Sequence, residues 1–323
     1  MINSVRNTVL SVLNKNNYGY ISPSDFNLFA KQAQLDLFEN YFYNYNYQIN
    51  KENARQSGTG YADLKLGYEE VIDTFSVTNY LPTTNLVLNQ VDLGNQFYLP
   101  AQAYTSDDYY LINKVLGYET TVTSGVTTAV LVNSLEDGTA TFNTDGVEVG
   151  DVVFNLRNAL PVFATVTQVL SSTVLLLSSD IFTVNASAYI IFKPKQNELE
   201  KVTHSKITML KNSMLTAPNR NFPAYTQEGG NLDAFPISLN AGVQCQYIRY
   251  PFDPKWTYAT VPAAAGEPLF DPTAVDYQDF EMPKSDEPSL VLRILEYAGL
   301  SIREIQIYEA ATQGETRETA SEK

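Results

Sequence analysis

The chain has 323 residues, 44% apolar and 18% charged, a folded composition whose length exceeds what one hydrophobic core usually holds, so two or three packed units are expected. Its 21 basic and 36 acidic side chains leave a formal charge of −15, which disfavours nucleic-acid binding unless the basic residues cluster. A single cysteine, Cys245, excludes an internal disulfide and multi-cysteine metal sites, and a single histidine, His204, excludes zinc sites built from several histidines.

No apolar run is long enough to span a membrane, and the first residues lack a basic stretch followed by an apolar one, so maturation in a cytoplasm is expected. Ile2, Val5, Val9, Val12 and Leu13 recur at the spacing of one helical face and predict a first amphipathic helix. Ser22, Pro23 and Asp25 carry the acceptor, the fixed backbone angle and the negative charge that favour a helix start. The stripe from Phe26 through Phe29, Ala30, Ala33, Leu37, Phe38, Tyr41 and Tyr45 extends that second helix for about six turns.

Lys51 to Gly60 reads as a loop and Leu64 to Phe75 as a weaker helix; from Thr74 to Tyr110, β-branched and aromatic residues punctuated by Pro82, Gly94 and Pro100 predict strands and turns. Gly117 to Phe192 is rich in Val and Thr, with short apolar or alternating runs (129–135, 152–156, 163–170, 174–177, 189–192) between turn signals such as Asp145-Gly146 and Gly150-Asp151. That pattern suggests a small antiparallel barrel inserted between helical segments. Leu199, Val202, Ile207, Leu210 and Met214 share one side of an expected helix that Pro218 stops. Asn219 to Pro283 reads as extended segments and loops around strands such as 243–250. Ser289 to Ala298 predicts a helix, Gly299 a stop, and Ser301 with Glu304 a restart to about Ala311, with 312–323 frayed.

The candidate chemistry is sparse. Asn14, Asn16, Tyr18, Gly19, Ile21 and Asp25 overlay the spacing of a calcium-binding helix–loop–helix, but they bring neutral or aromatic groups where carboxylates are needed, and a helix-to-helix turn is the better reading. The Asn143, Asp145, Gly146 turn fails sooner, since Thr141 and Val152 occupy its first and last ligand positions. His204 is expected as a solvated histidine among Lys201, Lys206 and Lys211, and Cys245 as a buried, inert thiol. The neighbouring acids Asp107, Asp108 and Asp286, Glu287 read as turn and helix-start charges, because a glycosidase pair must flank a scissile bond. Gly229 and Gly230 lack the following Lys-Ser/Thr of a phosphate loop. No catalytic residue, cofactor or metal ligand is assigned.

Charge and aromatic content are uneven. Residues 193–220 carry six basic side chains against Glu198 and Glu200, whereas 267–323 carry thirteen acidic ones against five basic; solvated helix faces explain this, and so does complementarity between neighbouring copies. Among 22 tyrosines, the run Tyr41, Phe42, Tyr43, Tyr45, Tyr47 surrounds one helix end, which reads either as core plus exposed rings or as interface. With Trp256 these five form the candidate interface set.

Three stretches, INSVRNTVLSVLNKNNYGYISPSDFNLFAKQAQLDLFENYFYNYN near the start, YIRYPFDPKWTY at 247–258 and DFEMPKSDEPSLVLRILEYAGLSIREIQIYEA at 279–310, together resemble virion structural proteins of tailed bacteriophages, specifically head-to-tail connector or ring proteins of short-tailed crAss-like phages. VEVGDVVFN with VLLLSSDIF and YIIF is similar to a small barrel module within such proteins. The resemblance implies a non-enzymatic chain, made in the bacterial host cytoplasm and located in the virion at the head-to-tail vertex. It further implies a ring of about twelve copies below the portal protein, closed by cyclic symmetry. Adjacent ring or tail proteins are the expected partners, and DNA passes through the lumen without specific binding. An acidic lumen would let phosphates slide.

The expected fold is α+β: helical segments at both termini and mid-chain, an inserted small antiparallel β-barrel and additional strands. Its regions are a helical 1–75, a strand-rich 76–116, the barrel at 117–192, and 193–323 with a helix, extended strands and a C-terminal helical pair. Two alternatives stand beside the ring: a tail spike or host-binding module, which would be trimeric, and a virion-associated cell-wall hydrolase acting through unpaired carboxylates.

Overall fold

The computed structural model describes residues 1–14, 21–55, 64–84, 94–157, 162–260, 268–302 and 312–313. Within these the chain mixes helices and strands and is α+β. It divides into two compact units: a terminal unit of Met1–Phe75 with Pro251–Lys323, and a central unit, Ser76–Tyr250. Half of the Asn14 to Asp25 turn (15–20), residues 56–60 of the expected 51–60 loop, and the expected helical restart after Ser301 lie outside the described residues, as does nearly all of the tail; residues 51–55, expected as loop, instead continue the long helix to Arg55.

The terminal unit is built on α1 (Ile2–Asn14), α2 (Pro23–Arg55) and α3 (Leu64–Asp73). Ser22 caps α2: its Oγ accepts from the Asp25 amide at 3.2 Å and donates to the Asp25 carboxylate at 2.6 Å, while Pro23 occupies the first helical position. The expected stripes are buried, Ile2, Val5, Val9 and Leu13 on α1 and Phe26, Ala30, Ala33, Leu37 and Phe38 on α2, but Val12 faces solvent. The packing partner comes from the other end of the chain, through Leu290, Ile294, Leu295 and Ala298 of a C-terminal helix at Glu287–Ile302. Phe29 stacks on Tyr297, and Asp36 accepts a hydrogen bond from the Tyr297 hydroxyl while pairing with Arg293 at 3.5 Å.

The buried Gln34 ties the returning strand of chain to α2, its Nε2 donating to the Phe252 carbonyl at 2.8 Å and its Oε1 accepting from the Glu281 amide at 3.2 Å. A buried amide left unpaired would cost about 1–3 kcal/mol, so these bonds fix the register of the 251–282 segment.

The central unit holds two four-stranded sheets and one of seven strands. Ser76–Tyr80, Gln244–Arg249, Tyr109–Tyr118 and Gln196–Glu198 pair antiparallel in that order. Glu200–Lys201, Ala224–Glu228, Asn231–Phe235 and Gln96–Tyr98 form the second sheet, parallel at its first pair only. Both contribute to one core, with Val115, Cys245 and Tyr247 from the first and Phe97, Tyr225, Leu232 and Ala234 from the second.

The third sheet runs Thr121–Val126, Ala188–Phe192, Val152–Asn155, Val162–Val169, Val174–Leu177, Ser134–Glu136, Ala129–Leu131, all antiparallel. Its core includes Leu135, Phe142, Val153, Leu175, Phe182, Tyr189 and Ile191. The two outermost strands are consecutive in the chain. Between them the Thr127 amide donates to Ser187 and the Thr128 amide to Glu136, so a two-residue link is bonded to both ends of the sheet.

Several expectations give way here. The helix expected from Leu199 is confined to His204–Lys211, because residues 196–198 and 200–201 pair with neighbouring strands instead; Leu199 and Val202 are buried from that extended stretch. The 129–135 run is a hairpin broken at Asn133, which has a left-handed φ of 52°, a conformation asparagine tolerates. Gly299 does not stop the last helix, which continues to Ile302; glycine inside a helix costs about 1 kcal/mol, less than the burial of the apolar stripe around it contributes.

Candidate interaction surfaces

Of the expected interface residues, two belong to the interior. Tyr41 is buried, its hydroxyl donating to Asp286, and Phe42 is half-buried edge-on against Phe38 at 5.1 Å. Tyr45 is half-buried, while Tyr43 and Tyr47 face solvent, Tyr43 at 64% exposure. Trp256 is only 2% exposed and lies in the core of the terminal unit. Its indole nitrogen donates to Asn3 Oδ1 at 3.1 Å, the Arg6 guanidinium lies 3.7 Å over its ring, and Tyr258 and Phe270 stack beside it. Asn27 clamps its backbone from α2, accepting from the Trp256 amide at 2.8 Å and donating to its carbonyl at 3.2 Å. Tyr41 and Trp256 are thus buried within the terminal unit: rings large enough to dominate an interface also dominate a core.

Beside Trp256 is a groove of about 250 Å³, lined by Ser24, Asn27, Thr257, Tyr258 and Ala274 with the Lys255–Asp276 ion pair at its edge. Bonding to Lys255 holds the Asp276 carboxyl below its usual range. The turn carrying Ala274 is fixed by Asp271, which accepts from the Thr273 amide and hydroxyl at 2.9 and 2.6 Å, and by the Tyr277 amide donating to the Ala274 carbonyl. Val275 at its tip is wholly exposed.

A second surface lies in the central unit, in residues the sequence reading assigned to a helix face or to loops. After the 204–211 helix the chain turns at Ser213–Thr216, with the Thr216 and Ala217 amides donating to the Ser213 carbonyl. Met214 and Leu215, the middle residues of this turn, are 103% and 97% exposed; Met209, Phe222 and Ile237 are also largely exposed. The chain that follows the turn is hydrogen-bonded. Asn219 Oδ1 accepts from the Asn221 and Phe222 amides, and Arg220 donates to the Ser238 carbonyl at 2.6 Å and to the Tyr118 carbonyl at 3.3 Å. Burial lowers the Arg220 pKa from its ordinary value. Apolar residues at turn centres depart from the polar chemistry that turns favour, which was the one signal in the sequence for this surface.

The groups weighed for chemistry have structural partners. Asp107 is buried and accepts from the Tyr247 hydroxyl at 2.7 Å, Asp108 accepts from the Gln102 amide, and Asp286 serves Tyr41. Gly229 and Gly230 form a hairpin turn. His204 is exposed at the start of its helix, and burial pushes the Cys245 thiol up to about 12. In the 143–151 turn the cation is a side chain: Lys193 Nζ donates to the Gly146 carbonyl at 2.9 Å and to Glu148 and the buried Asp151 at 2.8 and 3.1 Å. Burial alone would lower the Lys193 pKa, but these two carboxylates raise it.

Among the described residues, no three His, Cys, Asp or Glu side chains are grouped as metal ligands, and no helix is long and apolar enough to cross a membrane. No known protein-family pattern matches this chain, and no curated protein does either.

Proposed function

We propose that the protein is a non-enzymatic structural subunit of a bacteriophage virion, packing against copies of itself in a ring of the head-to-tail connector below the portal protein. The observation that carries this reading is the exposure of the apolar side chains Met214, Leu215, Phe222 and Ile237, which a solitary chain leaves in water. The resemblance of the 2–46, 247–258 and 279–310 stretches supplies the kind of assembly. The seven-stranded sheet is read as a small barrel module, supported by its two edge strands being consecutive and by the Thr127–Thr128 link bonding to both ends. In this arrangement the barrel meets a neighbouring ring, and the excess of acidic side chains lets DNA pass without adhering.

Native mass spectrometry of the purified chain tests the proposal. A closed species is expected from cyclic closure, of about a dozen copies if the family resemblance holds. A trimer would favour the host-binding alternative, and a monomer at micromolar concentration would overturn the ring.

A further inference from the structure

Three oxygens of the turn before the strand Val152–Asn155 converge on the Lys193 ammonium: the Gly146 carbonyl at 2.9 Å, Glu148 Oε2 at 2.8 Å and Asp151 Oδ2 at 3.1 Å. Asp151 is only 2% exposed, and its Oδ2 also accepts from the Glu148 amide at 2.9 Å. A carboxylate buried this deeply is unfavourable unless a positive charge reaches it. Lys193 reaches it from the far end of the sheet. It follows Phe192, the last residue of a strand in register with Val152 on one side and Thr121 on the other. Its own amide donates to the Thr120 carbonyl at 3.0 Å. One residue thus touches the strand by which the chain enters the seven-stranded sheet, a turn in its middle and the strand by which the chain leaves.

We propose that the Lys193 ammonium serves this turn as a structural cation supplied by the chain itself, in the place a bound divalent ion would take, and so clasps the entry and exit of the seven-stranded sheet. The donors are those a hard cation needs, oxygens only, two of them from carboxylates. A cation tethered to its own chain binds intramolecularly, so its capture does not depend on the concentration of an ion in solution. A chelator has nothing to extract. With the lysine side chain removed, the turn keeps two negative groups and a carbonyl and takes calcium in its stead. That affinity is weak, because affinity follows ligand charge and site rigidity, and the Glu148 side chain is 77% exposed. The clasp is independent of the assembly in which the chain takes part.

Lys193→Ala and Lys193→Gln in the full chain test the clasp. Calcium chloride at about 10 mM is the probe, chosen above the Kd range of weak sites, with melting followed by calorimetry and amide exchange by mass spectrometry. The native chain should melt at the same temperature in calcium and in EDTA. Both variants should melt at least about 2 °C lower and exchange at least about tenfold faster at the Glu148, Gly150 and Asp151 amides, which bond within or beside the turn. Calcium should recover part of that loss in Lys193→Ala, because an ion bound only by the folded state stabilises it, and none when Glu148→Gln is added. Lys193→Arg, which keeps the charge, should lose less than the alanine variant. If Lys193→Ala does not fold, refolding on addition of calcium is the same test: recovery supports the clasp and its absence overturns it. Variants that melt and exchange like the native chain overturn the clasp, and a loss that calcium leaves untouched overturns the role of Lys193 as a cation.

Discussion

Gly125 shows how a single position constrains the central unit. A Cβ built there would stand 2.6 Å from Asp137 Oδ2 and 2.6 Å from the Tyr189 hydroxyl, closer than real contacts allow. Those two groups are themselves bonded at 2.8 Å within the core of the seven-stranded sheet, and Thr139 donates to the other Asp137 oxygen. Burial alone would raise the Asp137 carboxyl, but its bonds to Thr139 and Tyr189 outweigh it and hold the group below its ordinary value. Neither oxygen can retreat without losing its partner. Gly125→Ala should therefore lower stability by about 1–3 kcal/mol in urea unfolding, the usual result of overpacking; an unchanged midpoint would show that the pair moves freely. The sequence displayed Gly125 only as one residue of a Thr-Ser-Gly run, because a close approach by residues 12 and 64 positions away leaves no local mark.

Among the elements, α1 is held in an unusual way: its amino end is capped by a carboxylate from the far end of the chain. Asp279 Oδ1 accepts from the Ile2 amide at 2.7 Å and from the Phe280 amide at 2.8 Å, while Oδ2 takes the Met1 amine at 2.8 Å. Burial by itself would raise this carboxyl; the amine and the two amides outweigh it and leave the group depressed. A depressed carboxylate contributes stability in full above the unfolded value near pH 4 and loses it as pH falls through the folded value. Melting temperature should decline as pH drops below about 4, and Asp279→Asn should be less stable at neutral pH with a shallower acid decline; parallel curves for the two chains would refute this linkage. The helices α1 and α2 and most strands of the seven-stranded sheet were legible because their apolar spacing is local. The 196–202 stretch was not, since Leu199 and Val202 fit either a helical face or a buried strand, and pairing with distant residues 115–118 and 224–225 decided. Which large apolar side chains are exposed and which are buried was the least legible. Met214 was counted toward a core by periodicity, and Trp256 was set among docking residues by its ring alone, whereas exposure depends on packing that no window of sequence contains.

At the scale of the whole molecule, two electrostatic effects would compete in the proposed self-association. The formal charge of −15 would repel copies from one another, whereas close charge pairs across a copy–copy contact would attract. Repulsion acts over longer range and is screened first, with a Debye length of about 10 Å at 0.1 M salt falling to about 3 Å at 1 M. Assembly, followed by light scattering, should therefore quicken with the first additions of salt and slow again toward about 1 M as the close pairs are screened too. A rate that only rises would assign the association to apolar contact alone. The division of the terminal unit between both ends of the polypeptide also sets an order of events at the ribosome. The central unit is continuous and can finish its sheets while synthesis proceeds, but α1 and α2 must wait for residues 251 to 302 before Trp256 arrives and the groove exists. A nascent chain thus carries a finished central unit while its terminal unit is still half-built, so every surface of the terminal unit comes into being only after residue 302 has left the ribosome.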